Sequence, residues 1–476
     1  MSDLKKQIAH AVRGESTTPR GGTPAESRSS SRLRGTTPSI DEYFDTGFFY
    51  AGDIASDPGR HSKLKDRFDG ALEHLSSTRR QKTSSETRQN AVGTVVSMFR
   101  SHYKPELVTE NNLTIVLNTL ATANTDAERV LCIQALTLMA VTNIDAVTEV
   151  FLDNFLPNLK KMISGGNLED DVRSVAVMAY ALNQFLILRD SSGYGMEDSI
   201  TFLMDLVTSS NSDEGDVASA AVLGIGLLVS CHESPNSIIS ENAPTLVETL
   251  TVSPPAVVNS IGKVLALFYE AFDYPDTTAE EEANRESDYD EKIDLPYYDT
   301  DDLLQILEDI VTASNKGVSK KVKQEQKPLF RDVIATIEDF RTSKSRRTMS
   351  EVPADEAASL AHLKVNKNKA IDVDTFAKLV RLQFLKWFLE GDLSTHLVAN
   401  PVIDEIVEEA SFENFILSKF EVSKYASEYD INEPTEDRYN EANIHDSDAR
   451  KRTKAINKSR ASKAFSVANS GEEVNV

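Results

Sequence analysis

Residues 88–96, RQNAVGTVV, return as RVLCIQALT at 129–137 and as RSVAVMAYA at 173–181. The shared line is Arg88-x-x-Ala91-Val92, then Arg129-x-x-Cys132-Ile133, then Arg173-x-x-Ala176-Val177. It continues, without the arginine, as Ala218-x-x-Ala221-Val222 and Val257-x-x-Ser260-Ile261, at successive spacings of 41, 44, 45 and 39 residues. Such a period matches stacked helix pairs of the armadillo and HEAT type, in which one pair cannot bury its apolar face alone and its neighbours must cover it. Apolar residues recur every three to four positions from about 60 to 315, with almost no strand-like alternation. Second helices are expected between the repeated lines, at 113–123, 147–163, 200–209, 239–250 and 303–313. Small residues on the first helices, among them Ala91, Ala135, Ala140, Ala176, Ala181 and Ala221, allow close approach of neighbours. Thr125 followed by Glu128 reads as a capping box at a helix start. The expected fold is all-α: an α-solenoid of about five repeats, followed by a helical C-terminal region and a terminal basic helix.

Outward from that frame the chain divides by composition. Residues 1–40 are poor in large apolar side chains and rich in Ser, Thr, Pro and Arg, so burial cannot offset their ordering entropy. Three Thr-Pro pairs, at Thr18, Thr23 and Thr37, lie there as candidate phosphorylation sites, with Ser350 further on. Residues 41–51 carry Tyr43, Phe44, Phe48, Phe49 and Tyr50, an arm to pack on the folded body or a docking segment. The repeats occupy 41–315 and are interrupted at 273–302 by an insertion with thirteen acidic residues against two basic ones, Arg285 and Lys292. A solvated loop is the plain reading; a negative flap that repels nucleic acid or docks a basic protein is the functional one.

The C-terminal region, 316–425, opens with Lys316, Lys320, Lys321, Lys323 and Lys327. A helix is expected over 328–340, then a polar linker holding Arg346, Arg347, Thr348 and Ser350. Phe376, Leu379, Val380, Phe384, Trp387 and Phe388 line one face of a further helix that Gly391 should end. An acidic spacer, 426–448, precedes ARKRTKAINKSRASKAF at 449–465, and a short tail, 466–476, closes the chain.

That basic run is the functional signal. The chain carries 51 Lys+Arg and 75 Asp+Glu, a net charge of −24, yet 449–465 holds seven basic residues and no acidic one. Partners feel local charge rather than the total. As a helix the segment would be polar all round, with no apolar stripe to hold it to a core. The residues between its charges are mostly Ala and Ser, so the rod would be thin enough for a narrow, phosphate-lined channel. Neutralising about seven phosphates would give a log–log salt slope of about −5 on a single strand. A nuclear-import signal is the competing reading of the same cluster.

Other chemistry is missing from the sequence. No phosphate-binding Gly loop, HExxH, nucleophile elbow or kinase signature occurs, and the eight histidines are scattered. Catalysis, a metal, a cofactor and a small-molecule substrate are therefore not expected. Two cysteines, Cys132 and Cys231, fit a reducing compartment. The absence of an apolar leader or an 18-residue apolar run points to a cytoplasmic protein, with the nucleus as the second location, and to no membrane partner.

Phe330-Arg331-Asp332-Val333 after a basic stretch, Gly391 with His396-Leu397 and Asn400, Ser418-Lys419-Phe420-Glu421, and the basic pieces Arg452-Thr453-Lys454-Ala455 and Lys458-Ser459-Arg460 occur in that order. With the repeats before them, over about residues 84–465, they resemble the interferon-related developmental regulator family. The resemblance implies an armadillo-like fold and binding to translationally inactive ribosomes, filling tRNA sites while a basic C-terminal helix enters the mRNA channel. It assigns rRNA contact to Arg450, Lys451, Arg452, Lys454, Lys458, Arg460 and Lys463. The stretch Lys316, Lys320, Lys321 and Lys323 joins this candidate RNA-binding set. Chromatin corepressors are implied as further partners. The sequence departs from the family pattern in Lys419, where the family has Arg, and in a longer acidic insertion and a longer spacer. Two functions follow as expectations: a ribosome-binding translation repressor or hibernation factor, and a nuclear co-regulator whose solenoid groove binds protein segments.

Overall fold

A computed structural model describes residues 60–76, 84–165, 168–190, 195–209, 215–274, 295–312, 320–351, 359–366 and 370–420. Helix α1 (Arg60–Ser76) precedes the repeats. The repeated lines form the first helices, α2 (Ser85–Ser101), α4 (Asp126–Thr142), α7 (Asp170–Leu188), α9 (Gly215–Val229) and α11 (Pro255–Ala271). Each packs on the next, so they make one continuous layer. The second helices, α3 (Glu110–Ala121), α5 (Ile144–Val150) with α6 (Leu156–Ser164), α8 (Met196–Ser209) and α10 (Asn236–Leu250), pack on this layer, and α12 (Thr300–Thr312) packs on the helix that follows it, Lys320–Arg341. This is the solenoid that the sequence period implies.

The repeated arginines have a shared task. Arg129 donates to Ala123 O at 3.3 Å, and Arg173 to Ile163 O at 3.3 Å. These two first helices thereby supply a cation to orphan carbonyls at the end of the second helix before them. Arg88 instead pairs forward with fully buried Glu128 at 3.0 Å. Thr125 caps α4 by accepting from Glu128 N at 3.2 Å, while the Glu128 carboxylate accepts from Asn124 N. Close packing sets the small residues: a Cβ at Gly224 would lie 2.9 Å from Ala181 Cβ on the neighbouring first helix.

Several boundaries differ from the sequence expectation. The expected helix 147–163 is two helices joined by a π-helical turn, Phe151–Phe155. Pro157, at the start of α6, has no N–H for the usual ladder, and the wider turn absorbs the missing bond. The helix expected from Pro328 is α13 (Lys320–Arg341), running through that proline. It is fastened upstream of it by Gln326 to Asn259 at 3.0 Å, so packing on α11 overrides the start signal. The polar linker is helix α14 (Ser343–Glu351), where buried Arg346 donates to Phe340 O at 2.8 Å and lies over the Tyr274 ring at 4.2 Å.

A small antiparallel hairpin, β1 (Ala361–Lys364) with β2 (Ala370–Val373), interrupts the expected all-helical C-terminal region. Its period-2 alternation, with Ala361, Ile371 and Val373 buried, is too short to stand out among helices. Helix α15 (Phe376–Leu389) follows, then α16 (Leu393–Ala399), α17 (Pro401–Glu409) and a π-helical turn, Phe412–Leu417. The left-handed residue that ends α15 is Glu390, at φ 49°, rather than Gly391. Its carboxylate is held by Arg100 at 2.9 Å, which offsets the steric cost of that conformation.

Candidate functional site

Helix α15 lies across the first-helix layer on the side away from the second helices, touching α2, α4, α9 and α11. That face of the first-helix layer is thus covered by the chain's own C-terminal segment. Most of that contact is apolar, from Phe376 to Leu389, and it is pinned by polar groups that have left water. Glu270, at the end of α11, accepts from Phe376 N at 2.8 Å and Ala377 N at 3.0 Å, capping α15 from a different repeat. Thr375 accepts from Lys378 N at 3.0 Å and donates to Ala410 O. Arg381 donates to Ser230 Oγ at 3.0 Å, Ser230 O at 2.6 Å and Ile406 O at 2.9 Å, and its guanidinium sits 5.1 Å from the Phe185 ring. Lys263 donates to Gln383 at 3.1 Å.

At the other end of α15, Arg100 donates to Phe388 O at 3.2 Å as well as pairing with Glu390. His396 Nε2 donates to Arg100 O at 2.8 Å, and Asn400 Nδ2 to Val141 O at 2.9 Å. Lys419 donates to Ala271 O and pairs with Asp273 at 3.2 Å. Four of the residues that carried the family resemblance, Phe330, His396, Asn400 and Lys419, are therefore anchors. Phe330 is fully buried, and a Cβ at Gly262 would come within 2.7 Å of its ring. His396, Asn400 and Lys419 each bind a backbone carbonyl of a first helix or its end.

Burial governs the titration of this seam. It pushes the Glu270 carboxyl up to about 8, against the two N–H groups that favour its ionised form. It draws Arg381, Lys419 and His396 below their ordinary values, opposed at Arg381 by the Glu409 carboxylate. His396 is accordingly a neutral imidazole at pH 7. Both thiols are held protonated by burial, Cys231 pushed up to about 12 and Cys132 higher. Among the described residues no group of three or more His, Cys, Asp or Glu side chains could hold a metal ion. None of their helices is long and apolar enough to cross a membrane.

The candidate RNA-binding residues fall in two places. Lys320, Lys321 and Lys323 stand in the first turns of α13; Lys316 lies outside the described residues. Outside them too are Arg450, Lys451, Arg452, Lys454, Lys458, Arg460 and Lys463, with the tail 1–40, the aromatic arm 41–51, the insertion's core 275–294, the spacer 426–448 and the end 466–476. On α13, Lys327 and Arg331 are exposed one helical turn apart, and Lys344 is exposed on α14. The sequence reading missed the buried cations Arg100, Lys263 and Arg381. Their signal was available: Lys378 and Arg381 sit inside FAKLVRLQFLKWFL, on a helix buried nearly all round.

Comparison with known proteins places this geometry. A family model described as interferon-related developmental regulator (IFRD) matches residues 36–338. An uncharacterized protein of Schizosaccharomyces pombe is 26% identical over 201 residues, which is 41% of this chain and 41% of that protein's own length. The family match ends inside α13, so the seam residues of α15 to α17 lie beyond it.

Proposed function

The chain belongs to the interferon-related developmental regulator family, and from that premise we propose that it is a non-catalytic, ribosome-binding translation repressor of the cytoplasm. In this reading it occupies tRNA sites of inactive ribosomes and places the basic segment 449–465 in the mRNA channel. The observation that carries it is the reversal of sign: seven basic residues and no acidic one, on a chain of net charge −24. Arg450, Lys451, Arg452, Lys454, Lys458, Arg460 and Lys463 neutralise phosphates, and the solenoid provides a rigid shape that positions them. Lys320, Lys321 and Lys323 on α13, with Lys316 before it, form a second group of phosphate contacts.

The nuclear co-regulator reading needs a groove for protein segments. Helix α15 already covers part of the first-helix layer, which favours the ribosomal reading over it. Sucrose-gradient sedimentation of lysate at low and high salt tests the proposal. Co-migration with monosomes at low salt, lost at high salt and lost when the seven tail residues become Ala, is expected. A seven-Ala variant that still co-sediments at physiological salt would overturn the role given to the tail.

A further inference from the structure

We propose that the exposed cations of α13 and α14 are a docking surface for this chain's own acidic segment, residues 428–448, in the free protein. The inference adds regulation to the RNA contacts proposed above and rests on that reading for its consequence, though not for its geometry.

The surface is unusual for this molecule. Residues 320–347 hold nine basic and four acidic residues within a chain of net charge −24. Leu329, Phe330, Val333, Ile337 and Phe340 turn one side of α13 into the core. Lys327 and Arg331 are left exposed on another side, and Lys344 is exposed on the helix that packs against it. None of the three has an ion-pair partner among the described residues, whereas Arg341 is paired with Asp301.

Charge and chain path select the occupant. Residues 428–448 carry eight acidic side chains and a single basic one, Arg438. The described chain ends at Phe420, next to Lys419, which is pinned to Ala271 O and Asp273. The following residue of that strand of contacts, Tyr274, stacks on Phe340 of α13 at 5.9 Å and carries Arg346 at 4.2 Å. The segment therefore departs beside the C-terminal end of α13. Arg331 stands nine residues before Phe340, about 14 Å along the helix at its usual rise. Seven residues, 421–427, span up to roughly 23 Å when extended, enough to lay the acidic run along the stripe. Docked there, its carboxylates occupy positions that RNA phosphates would take, and a polyanion must displace them.

Zero-length carbodiimide cross-linking of the full-length protein, without RNA or ribosomes, tests the docking directly. Links from Lys327 or Lys344 to Asp or Glu of 428–448, lost at high salt, are expected. Links confined to Lys451–Lys463 or to the carboxylates of the 275–294 insertion, or no links, would overturn it. A second variant with the eight acidic residues of 428–448 changed to Asn or Gln should bind a short single-stranded RNA about fivefold more tightly at physiological salt, the scale of a few exposed ion pairs. Adding Lys327→Ala, Arg331→Ala and Lys344→Ala should remove that gain; a gain that survives them would also overturn the docking. Because the cross-link is read without RNA, its absence rejects the docking alone, while loss of ribosomal co-sedimentation rejects the function alone.

Discussion

The layer of first helices and the seam beneath α15 are both buried, but they are built from different chemistry. In α4 and α9 nearly every residue is out of water, and the packing is apolar, with small residues such as Gly224 and Ala181 setting the spacing. Contacts of this kind are numerous, local and individually replaceable. At the seam, α15 is held by Glu270, Arg381, Lys263 and Arg100, each bonded to a named partner far away in the chain. Apolar packing alone would let a helix slide along the first-helix layer. Buried charges allow one register, because any shift leaves them unpaired.

Removing one of those charges should therefore have the largest effect. Arg381→Ala leaves Ser230 O and Ile406 O without their donor inside the core, and should cost about 3–5 kcal/mol in urea unfolding. It should also expose residues 376–417 to limited proteolysis while the repeats keep their helical circular dichroism. Uniform loss of both would show that seam and repeats are a single cooperative unit.

Gly262→Ala tests the apolar packing of α13 on the last first helix, since its new Cβ would fall 2.7 Å from Phe330. Thermal unfolding should show a loss of about 1–3 kcal/mol. An unchanged midpoint would mean that α13 moves freely against α11.

The seam should respond to pH. Glu270 is raised in the folded chain to about 8 from an ordinary 4.5. Its contribution is complete below about pH 4.5 and is lost as pH rises through the folded value. Stability should fall by about 3–4 kcal/mol between pH 5 and 8, and Glu270→Gln should flatten that slope. A slope that persists in the variant would place the titration elsewhere. The smallest effect belongs to the repeats: Ile133→Val should cost about 1 kcal/mol, with no pH dependence and no new cleavage in α15.

The sequence by itself determined the solenoid. A spacing of 41, 44 and 45 residues, with apolar side chains at helical intervals, leaves helix pairs no other way to bury their faces. It also determined where charge reverses, at 449–465, and that this segment has no apolar stripe. Only the tertiary structure decided that the C-terminal segment covers the first-helix layer. Phe376 to Phe388 read as an aromatic stripe on one face of a helix, yet α15 is buried almost all round because the first helices cover one side of it and α16, α17 and β2 pack on others. The end of α15 at Glu390 and the continuation of α13 through Pro328 were decided the same way, by Arg100 and Asn259 from distant repeats. A period in the sequence records contacts between neighbours that recur. A contact made once, between residues 100 and 390 or 270 and 376, leaves no period, and only the folded chain brings its two halves together.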